Sequence, residues 1–530
     1  MRIELSYIMK RKIIWSILLC VLIGFELLAL QAVVRLNMLP AAYLIAVIVL
    51  LGVFTFAVGR LLFFSGKYER KSRKVLACVL TLVMILGCTA ITTVAYDVLK
   101  TIAATSRNEP EIMTREIFVR ADNDVQKLQD AAGYTFGYIK NYDETCTQQV
   151  IERIALDTDG MFATAGYTNI FNMVNALLDG RIDAMILNGG FVEILEETKE
   201  FFDFSTRTRS LLQVEADGPE IVLQIEDVMP EMTEPEIVPV VTEAAPEETT
   251  PKPAEETETH SFLDPFLVYI SGSDSHDKML TSGRSDVNIL AAVNPKTKQV
   301  LLINTPRDYY VPNSAGGGEK DKLTHCGLYG INCSMTTLGN LYNEEIEYYV
   351  QLNFTGFKKL IDALGGITVY SDYAFTAIQR TNIKEGKNEL TGQEALDFAR
   401  ERKTLSGGDN ERGKHQMQVI EAVIKKATSG STIISNYSGI MESIEGMFTM
   451  NLPAEMISSL VKMQLSDMAR WNVVSYSATG SNSFEECYSL RDMELSVIIP
   501  YHSSISKATR LIDMVFAGEM LTEEIINSMT

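Results

Sequence analysis

The first hundred residues hold three apolar runs, at 13–34, 41–58 and 75–99. Each is close to the ~20 residues that carry a helix across a hydrocarbon core. Nothing polar marks an outward face, which a buried helical hairpin of a soluble protein would need. Lys10, Arg11 and Lys12 precede the first run, and Arg60, Lys67, Arg70, Lys71, Arg73 and Lys74 separate the second from the third; only Arg35 lies between the first and second. The positive-inside rule then places the N-terminus and the 60–74 loop in the cytoplasm. Three crossings send everything after about residue 100 outside. The expectation is a multi-pass protein of the cell membrane with its C-terminal domains extracellular. A cleaved signal peptide would share the basic start, but the run is long for one and two more spans follow it.

Charge is equally uneven. The chain has 530 residues, 47 Lys+Arg and 68 Asp+Glu, for a net charge of −21. A generic nucleic-acid binder needs a basic surface, so no nucleic-acid partner is expected. Between 215 and 260 there are 14 acidic residues and one basic residue, Lys252, and seven of the 15 prolines fall between Pro230 and Pro265. Like charges repel and proline removes backbone donors, so this strip reads as an extended, mobile tether; a tail for a basic partner is the other reading. The chain therefore divides into an anchor (1–100), an accessory α/β unit (111–214), an acidic Pro-rich linker (215–264) and a large domain (265–530). The loop at 60–74 is too short to hold a DNA-binding domain.

In the accessory unit, strands are expected at 116–120, 134–139 and 183–187, and helices at 143–156 and 169–178, where Ile170, Met173, Val174, Leu177 and Leu178 recur at helical spacing. The last strand ends at Asn188-Gly189-Gly190. The pattern resembles one lobe of extracellular solute-binding proteins, and a packing or spacer role fits it as well. In the large domain, strands are expected at 287–293, 299–304, 367–370 and 471–477. Helices are expected at 355–364, after the capping-box pattern Thr391-Gly392-Gln393-Glu394, and at 410–427. Alternating strands and helices predict an α/β fold with helices covering a central mixed sheet. Of seven cysteines, Cys326 and Cys333 are the closest pair beyond the spans. An oxidising exterior permits a bridge there without requiring one, and the thiols show no zinc-like clustering.

Four polar clusters interrupt these apolar elements. They are Ser271-Gly272-Ser273-Asp274 with Arg284-Ser285-Asp286, Pro306-Arg307-Asp308, Arg400-Glu401-Arg402, and Asp409 with Arg412, His415 and Gln416. Arginine presents a planar fork of donors that matches phosphate oxygens. Several arginines at element ends in an acidic protein call for counter-charges, which aspartates and an anionic ligand can supply. Two aspartates beside them suit a divalent metal on a pyrophosphate, Mg²⁺ or Mn²⁺, with one carboxylate left as a base. Any single Arg–Asp pair is equally a surface salt bridge. On a helix, Gln416 is four residues and His415 three residues from Arg412, so all three are expected on one face, which flanks the apolar stripe and can point along a cleft. The apolar Phe354, Phe357, Leu360 and Ile361 serve a lipid tunnel or an ordinary core.

The stretches SGSDS…RSDVNILAAVNPKTKQVLLINTPRDYYV, KLTHCGLYG, YYVQLNFTGFKKLIDALGGITV, LTGQEALDFARERK and GGDNERGKHQMQVI resemble, in order and spacing over about 265–505, the signature blocks of the LytR–CpsA–Psr family. Three spans and an accessory domain resemble its CpsA-like branch. The resemblance implies an α/β sandwich with an apolar tunnel for a prenyl chain. It implies a transferase that moves a capsular or anionic glycopolymer from a polyprenyl-pyrophosphate carrier to peptidoglycan, with Mg²⁺ on the pyrophosphate. By motif, Asp274, Asp286, Arg307, Arg400 and Arg402 fall on catalytic positions, with Asp274 and Asp286 as metal ligands or base. Arg284, Arg307, Arg400, Arg402, Arg412 and Gln416 fall on pyrophosphate-binding positions. Lys322, His325, Asp308 and His415 are expected at the rim, His415 standing where many members carry arginine. A non-catalytic glycan-binding regulator, a carrier pyrophosphatase and an extracellular sensor built on 111–214 are the competing functions.

Overall fold

The computed structural model describes residues 2–63, 71–105, 112–140, 144–217, 262–273, 283–378, 380–402, 409–429 and 448–529. The apolar runs form α1 (Arg2–Leu36), α2 (Ala41–Phe63) and α3 (Lys71–Thr105). Their spans have mean hydropathy of 2.5–2.6, and Leu27, Leu50, Phe56 and Leu86 point outward. A helix apolar on every side, with its faces uncovered by protein, is built for lipid. Glu26 within α1 is paired: the Thr55 hydroxyl of α2 donates to its carboxylate at 2.6–2.7 Å, as an ionisable group within a span requires.

Residues 112–217 build a five-stranded sheet ordered β3-β2-β4-β1-β5. Its strands are β1 (Ile112–Arg120), β2 (Thr135–Ile139), β3 (Ala163–Tyr167), β4 (Ala184–Leu187) and β5 (Thr208–Asp217). β2, β3 and β4 are parallel, while β1 runs antiparallel to both β4 and β5. The helices are α4 (Glu144–Asp157), α5 (Ile170–Leu178), α6 (Gly190–Glu196) and α7 (Phe204–Arg207). α4 packs Val150 and Ile154 on Ile117 and Phe136. On the opposite face, Met173, Phe191 and Phe204 belong to a cluster that continues into Leu328 and Ile331 of the next domain. The accessory unit is thus docked on the C-terminal domain by a shared core. The strip from 218 to 261 lies outside the described residues.

The C-terminal domain contains, in chain order, β6 (Phe266–Ser273), β7 (Val287–Asn294), β8 (Gln299–Asn304), β9 (Tyr310–Pro312), β10 (Lys320–Lys322), α8 (Leu323–Cys326), α9 (Ile331–Tyr342), β11 (Tyr348–Asn353), α10 (Phe354–Ala363), β12 (Ile367–Ser371), β13 (Phe375–Thr376), β14 (Asn382–Ile383), β15 (Gly386–Leu390), α11 (Gly392–Arg400), α12 (Asp409–Ala427), β16 (Phe448–Met450), α13 (Ala454–Asp467), β17 (Asn472–Ser477), β18 (Gly480–Cys487), β19 (Leu490–Pro500), α14 (His502–Phe516) and α15 (Glu523–Ser528). The central sheet is ordered β16-β11-β6-β7-β8-β17. The period-2 rule assigns its two faces. Tyr269, Leu290, Ala292, Leu301 and Ile303 meet Leu338 of α9 and Leu511 of α14 on one side. Val268, Ile289, Ala291, Val300 and Leu302 meet Met417 of α12 and Met456 of α13 on the other. Both faces are covered, so these strands are apolar throughout rather than alternating with polar residues. α10, α11 and the β12–β15 pair add a satellite core around Ile361, Phe398 and Val419. Ile361 is fully buried there, so at that position the core reading holds.

α13 carries the domain onto the anchor. Ala454, Ile457 and Val461 pack on Met38, Val98 and Ile102 at the ends of α1 and α3, and the Lys462 ammonium donates to Asn37 Oδ1 at 3.1 Å. The folded domain therefore sits at the end of the helical bundle opposite Phe63 and Lys71. Cys326 and Cys333 are free, buried thiols. Contact with Cys333, added to burial, holds the Cys326 thiol well above its usual range.

Candidate functional site

β6 and β11 are parallel, β8 and β17 are parallel, and β7 runs antiparallel between β6 and β8. The carboxyl ends of four strands therefore share one edge, where open α/β sheets place their ligands. Asp286 enters this edge just before β7, and Arg307 leaves it just after β8. α12 crosses above with its N-terminal half, the end where a helix dipole favours negative charge.

The Arg284–Asp286 loop is held from below by a buried polar network. The Tyr269 hydroxyl donates to Asn288 Oδ1 at 2.7 Å and lies 2.8 Å from Ser285 Oγ, which lies 2.8 Å from Ser271 Oγ. Asn288 Nδ2 donates to the Ser285 carbonyl at 2.8 Å. Burial pushes the Tyr269 phenol up to about 12, so it remains a neutral donor. The backbone ties the loop to both neighbours: Asp286 N–H donates to Gly272 O, and Thr324 N–H donates to Arg307 O. The sequence reading singled out Ser271 and Ser285 but not Tyr269 and Asn288, whose signal is a tyrosine and an asparagine inside otherwise apolar strands.

The centre of the site is an ion pair. Arg307 Nη1 donates to Asp286 Oδ1 at 2.7 Å, with the two side chains 15% and 16% exposed. Burial favours the neutral acid, but the charges of Arg307, Arg284 and Arg412 outweigh it and hold Asp286 below the usual carboxylate range. Asp286, Thr305, Arg307, Arg412 and Gln416 surround a cavity of about 10 Å³, together with Asn304 and Gly413. That volume holds about one water. Gly413 lets α12 lie directly on the Asn304 side chain; a Cβ there would collide with the amide. Asn304, Thr305 and Gly413 are additions that the sequence reading did not single out.

The other expected residues divide. Lys322 Nζ binds Asp308 Oδ1 at 3.1 Å, and Asp308 Oδ2 is 3.7 Å from Arg307 Nε, so this pair borders the centre. Arg400 lies with its guanidinium 4.2 Å from the centroid of the Phe354 ring, the first residue beyond β11 and so on the same edge. Arg402 is exposed. Neither arginine lines the small cavity. Arg284 is drawn away from it by Glu193 and Glu197 of the accessory unit. Asp274 and the Asp409 side chain lie outside what is described.

Two rim expectations need correction in position. His325 is buried, with Nδ1 2.7 Å from Asp321 Oδ1. The same carboxylate accepts from the backbone and hydroxyl of Ser489, pinning the β18–β19 hairpin. His415 is also buried, stacked 4.1 Å from the Phe398 ring, with Nδ1 3.1 Å from the Phe398 carbonyl. The reason is angular. At about 100° per residue, positions i+3 and i+4 fall on opposite shoulders of position i. α12 has core on both sides, so Gln416 reaches the cavity while His415 turns into the aromatic cluster. Burial pushes the His415 imidazole below its usual value, leaving it neutral.

Fold and site together define an α/β domain behind three apolar helices, with Asp286 set among Arg307, Arg284 and Arg412 at the carboxyl edge of its sheet. Residues 238–497 match the LytR_cpsA_psr family, and the chain belongs to that family. It is 34% identical over 208 residues to the polyisoprenyl-teichoic acid–peptidoglycan teichoic acid transferase TagU of Bacillus mycoides (strain KBAB4), a match covering 39% of this chain and 67% of that one. The TagU of Enterococcus faecalis (strain ATCC 700802 / V583) is 37% identical over 183 residues, covering 34% and 59%. Similar solved structures include B. subtilis TagV, with 25% identity, a TM-score of 0.41, and coverage of 49% of this chain and 99% of that chain. TagT bound to LIIa-WTA has 25% identity and a TM-score of 0.41, covering 50% and 95%.

Proposed function

We infer that this protein is a membrane-anchored transferase that moves a glycopolymer from a polyprenyl-pyrophosphate carrier to peptidoglycan, with its folded domains outside the cell membrane. The observation that carries the reading is the buried Asp286–Arg307 pair, ringed by Arg412 and Gln416 at the carboxyl edge of the sheet in a chain similar to TagU transferases. Arg307 and Arg412 grip the pyrophosphate, and Arg400 approaches from the same edge. These arginines stabilise charge that builds on the departing polyprenyl phosphate. The acceptor hydroxyl attacks the sugar-bearing phosphorus. The new P–O bond forms as the bond to the carrier phosphate breaks, and the hydroxyl proton passes to a carboxylate.

Asp286 suits a divalent cation in one respect: it is an ionised carboxylate held beside a phosphate-binding cluster, and Mg²⁺ is bound by one or two carboxylates plus substrate oxygens. Asp286 and Asp274 would hold it. When bound, it neutralises charge on the pyrophosphate. Teichoic-acid-type and capsular polymers both fit this chemistry; three spans and an accessory domain favour the capsular class.

The test uses the full chain, because the accessory unit and the C-terminal domain share a core. It is incubated with lipid-linked glycan, Mg²⁺ and peptidoglycan. Covalent attachment that is lost in Arg307→Ala supports transfer. Free glycan indicates a pyrophosphatase, and binding without turnover a regulator.

A further inference from the structure

The Asn188-Gly189-Gly190 turn, a strand end with no role in the site, is where the accessory unit seats itself. Asn188 Nδ2 donates to the Leu328 carbonyl at 2.8 Å while its Oδ1 accepts from Gly190 N–H at 2.9 Å. A Cβ on Gly190 would come within 2.6 Å of the Leu328 side chain and 3.4 Å of Gly283 Cα. That close approach aims the following turns of chain at Arg284. Glu193 and Glu197 are four residues apart, so they project from one side. Arg284 Nη2 donates to Glu193 Oε2 at 2.7 Å and Nη1 to Glu197 Oε1 at 2.8 Å.

Arg284 is 10% exposed, while Glu193 and Glu197 are 53% and 64% exposed. The guanidinium is largely covered, but its two partners stand in water and can let go of it. Its Nε–H is buried without a hydrogen-bond acceptor among the described residues. The field of Arg284 also reaches Asp286. Three carboxylates therefore face one guanidinium beside the anion site.

We propose that Glu193 and Glu197 are specificity-determining residues of the transferase site: a carboxylate gate that competes with the lipid pyrophosphate for Arg284. The accessory unit thereby sets how strongly the headgroup must bind before Arg284 joins it. A weakly anionic headgroup leaves the gate shut, and a pyrophosphate displaces it. This rests on the site reading above.

The experiment measures binding of geranylgeranyl pyrophosphate, with Mg²⁺, to the detergent-solubilised full chain. Glu193→Gln with Glu197→Gln keeps side-chain size and hydrogen-bonding capacity but removes both charges. Half-exposed ion pairs are worth ~1 kcal/mol or less each, which for two pairs corresponds to about tenfold tighter binding. The gain should vanish in an Arg284→Ala background. Unchanged or weaker binding by the double variant, or an equal gain without Arg284, overturns the gate. Arg307→Ala separates the two readings: if it binds like the unaltered chain, the site assignment itself fails, whereas if it loses binding the gate is judged on the other variants alone.

Discussion

Replacing Arg307 by alanine tests whether the central pair is a buried one. Breaking such a pair by removing one partner typically costs ~3–5 kcal/mol, because the remaining charge is stranded. Here Arg284 and Arg412 also face Asp286, so the expected loss is smaller, ~2–3 kcal/mol. For a domain of this size each kcal/mol lowers Tm by about 2–4 °C, which gives a fall of about 5–10 °C. Trp471 reports on it: its indole N–H donates to Gln464 at 2.8 Å, and the ring packs in the core beneath the sheet. The double variant Asp286→Asn/Arg307→Ala removes the stranded charge and should regain most of the lost Tm while remaining unable to transfer glycan. Two observables thus separate, with stability following the charge balance and activity following the arginine. An Arg307→Ala protein melting within about 1 °C of the parent, or a double variant no more stable than the single one, would refute this reasoning.

Three further outcomes follow from particular contacts. His415 holds fewer protons folded than unfolded, since burial depresses it against the opposing pull of Glu411 and Asp372. Its contribution is complete above the unfolded value of about 6.5 and is lost as pH falls below it; His415→Asn should flatten that part of a Tm-versus-pH curve, and an unchanged slope would count against a buried neutral ring. Gly392 lies against the Lys358 backbone, where a Cβ would clash with the carbonyl; Gly392→Ala should destabilise by ~1–3 kcal/mol through overpacking, measured by thermal unfolding, and a neutral result would mean that α10 and α11 are not in close contact. Val461→Asp places a charge against Val98 and Ile102. It should raise hydrogen exchange in α13 while leaving α11 unaffected, and unchanged protection would show that the domain does not rest on the anchor.

The sequence carried the architecture further than the site. The spans, the strands around 287–304 and the Thr391–Glu394 capping box were legible because each depends on local spacing. The box is present in full, with the Thr391 side chain accepting from Glu394 N–H and Glu394 accepting in return. The motif residues Asp286, Arg307, Arg412 and Gln416 do converge. Arg284 and His415 were harder to place. Arg284 has its partners 87 and 91 residues away in another domain, and no local pattern encodes such a pairing. His415 depended on which side of α12 the second core occupies, which only tertiary packing decides. The β18–β19 hairpin went unnoticed because in β18 the apolar Phe484 faces water beside Asn482 and Glu486 while polar Ser483 and Glu485 take the half-buried positions, which inverts the hydrophobic alternation a strand is read by.

The contact between α13 and the ends of α1 and α3 fixes the altitude of the reaction. With Ala454, Ile457 and Val461 seated on the anchor and the accessory unit fused to the same core, the acidic strip joins two parts that are already moored. Lengthening or shortening it should leave the working height above the lipid unchanged. The contact with the anchor, and not the strip, then sets how far the carboxyl edge of the sheet stands from the apolar helices.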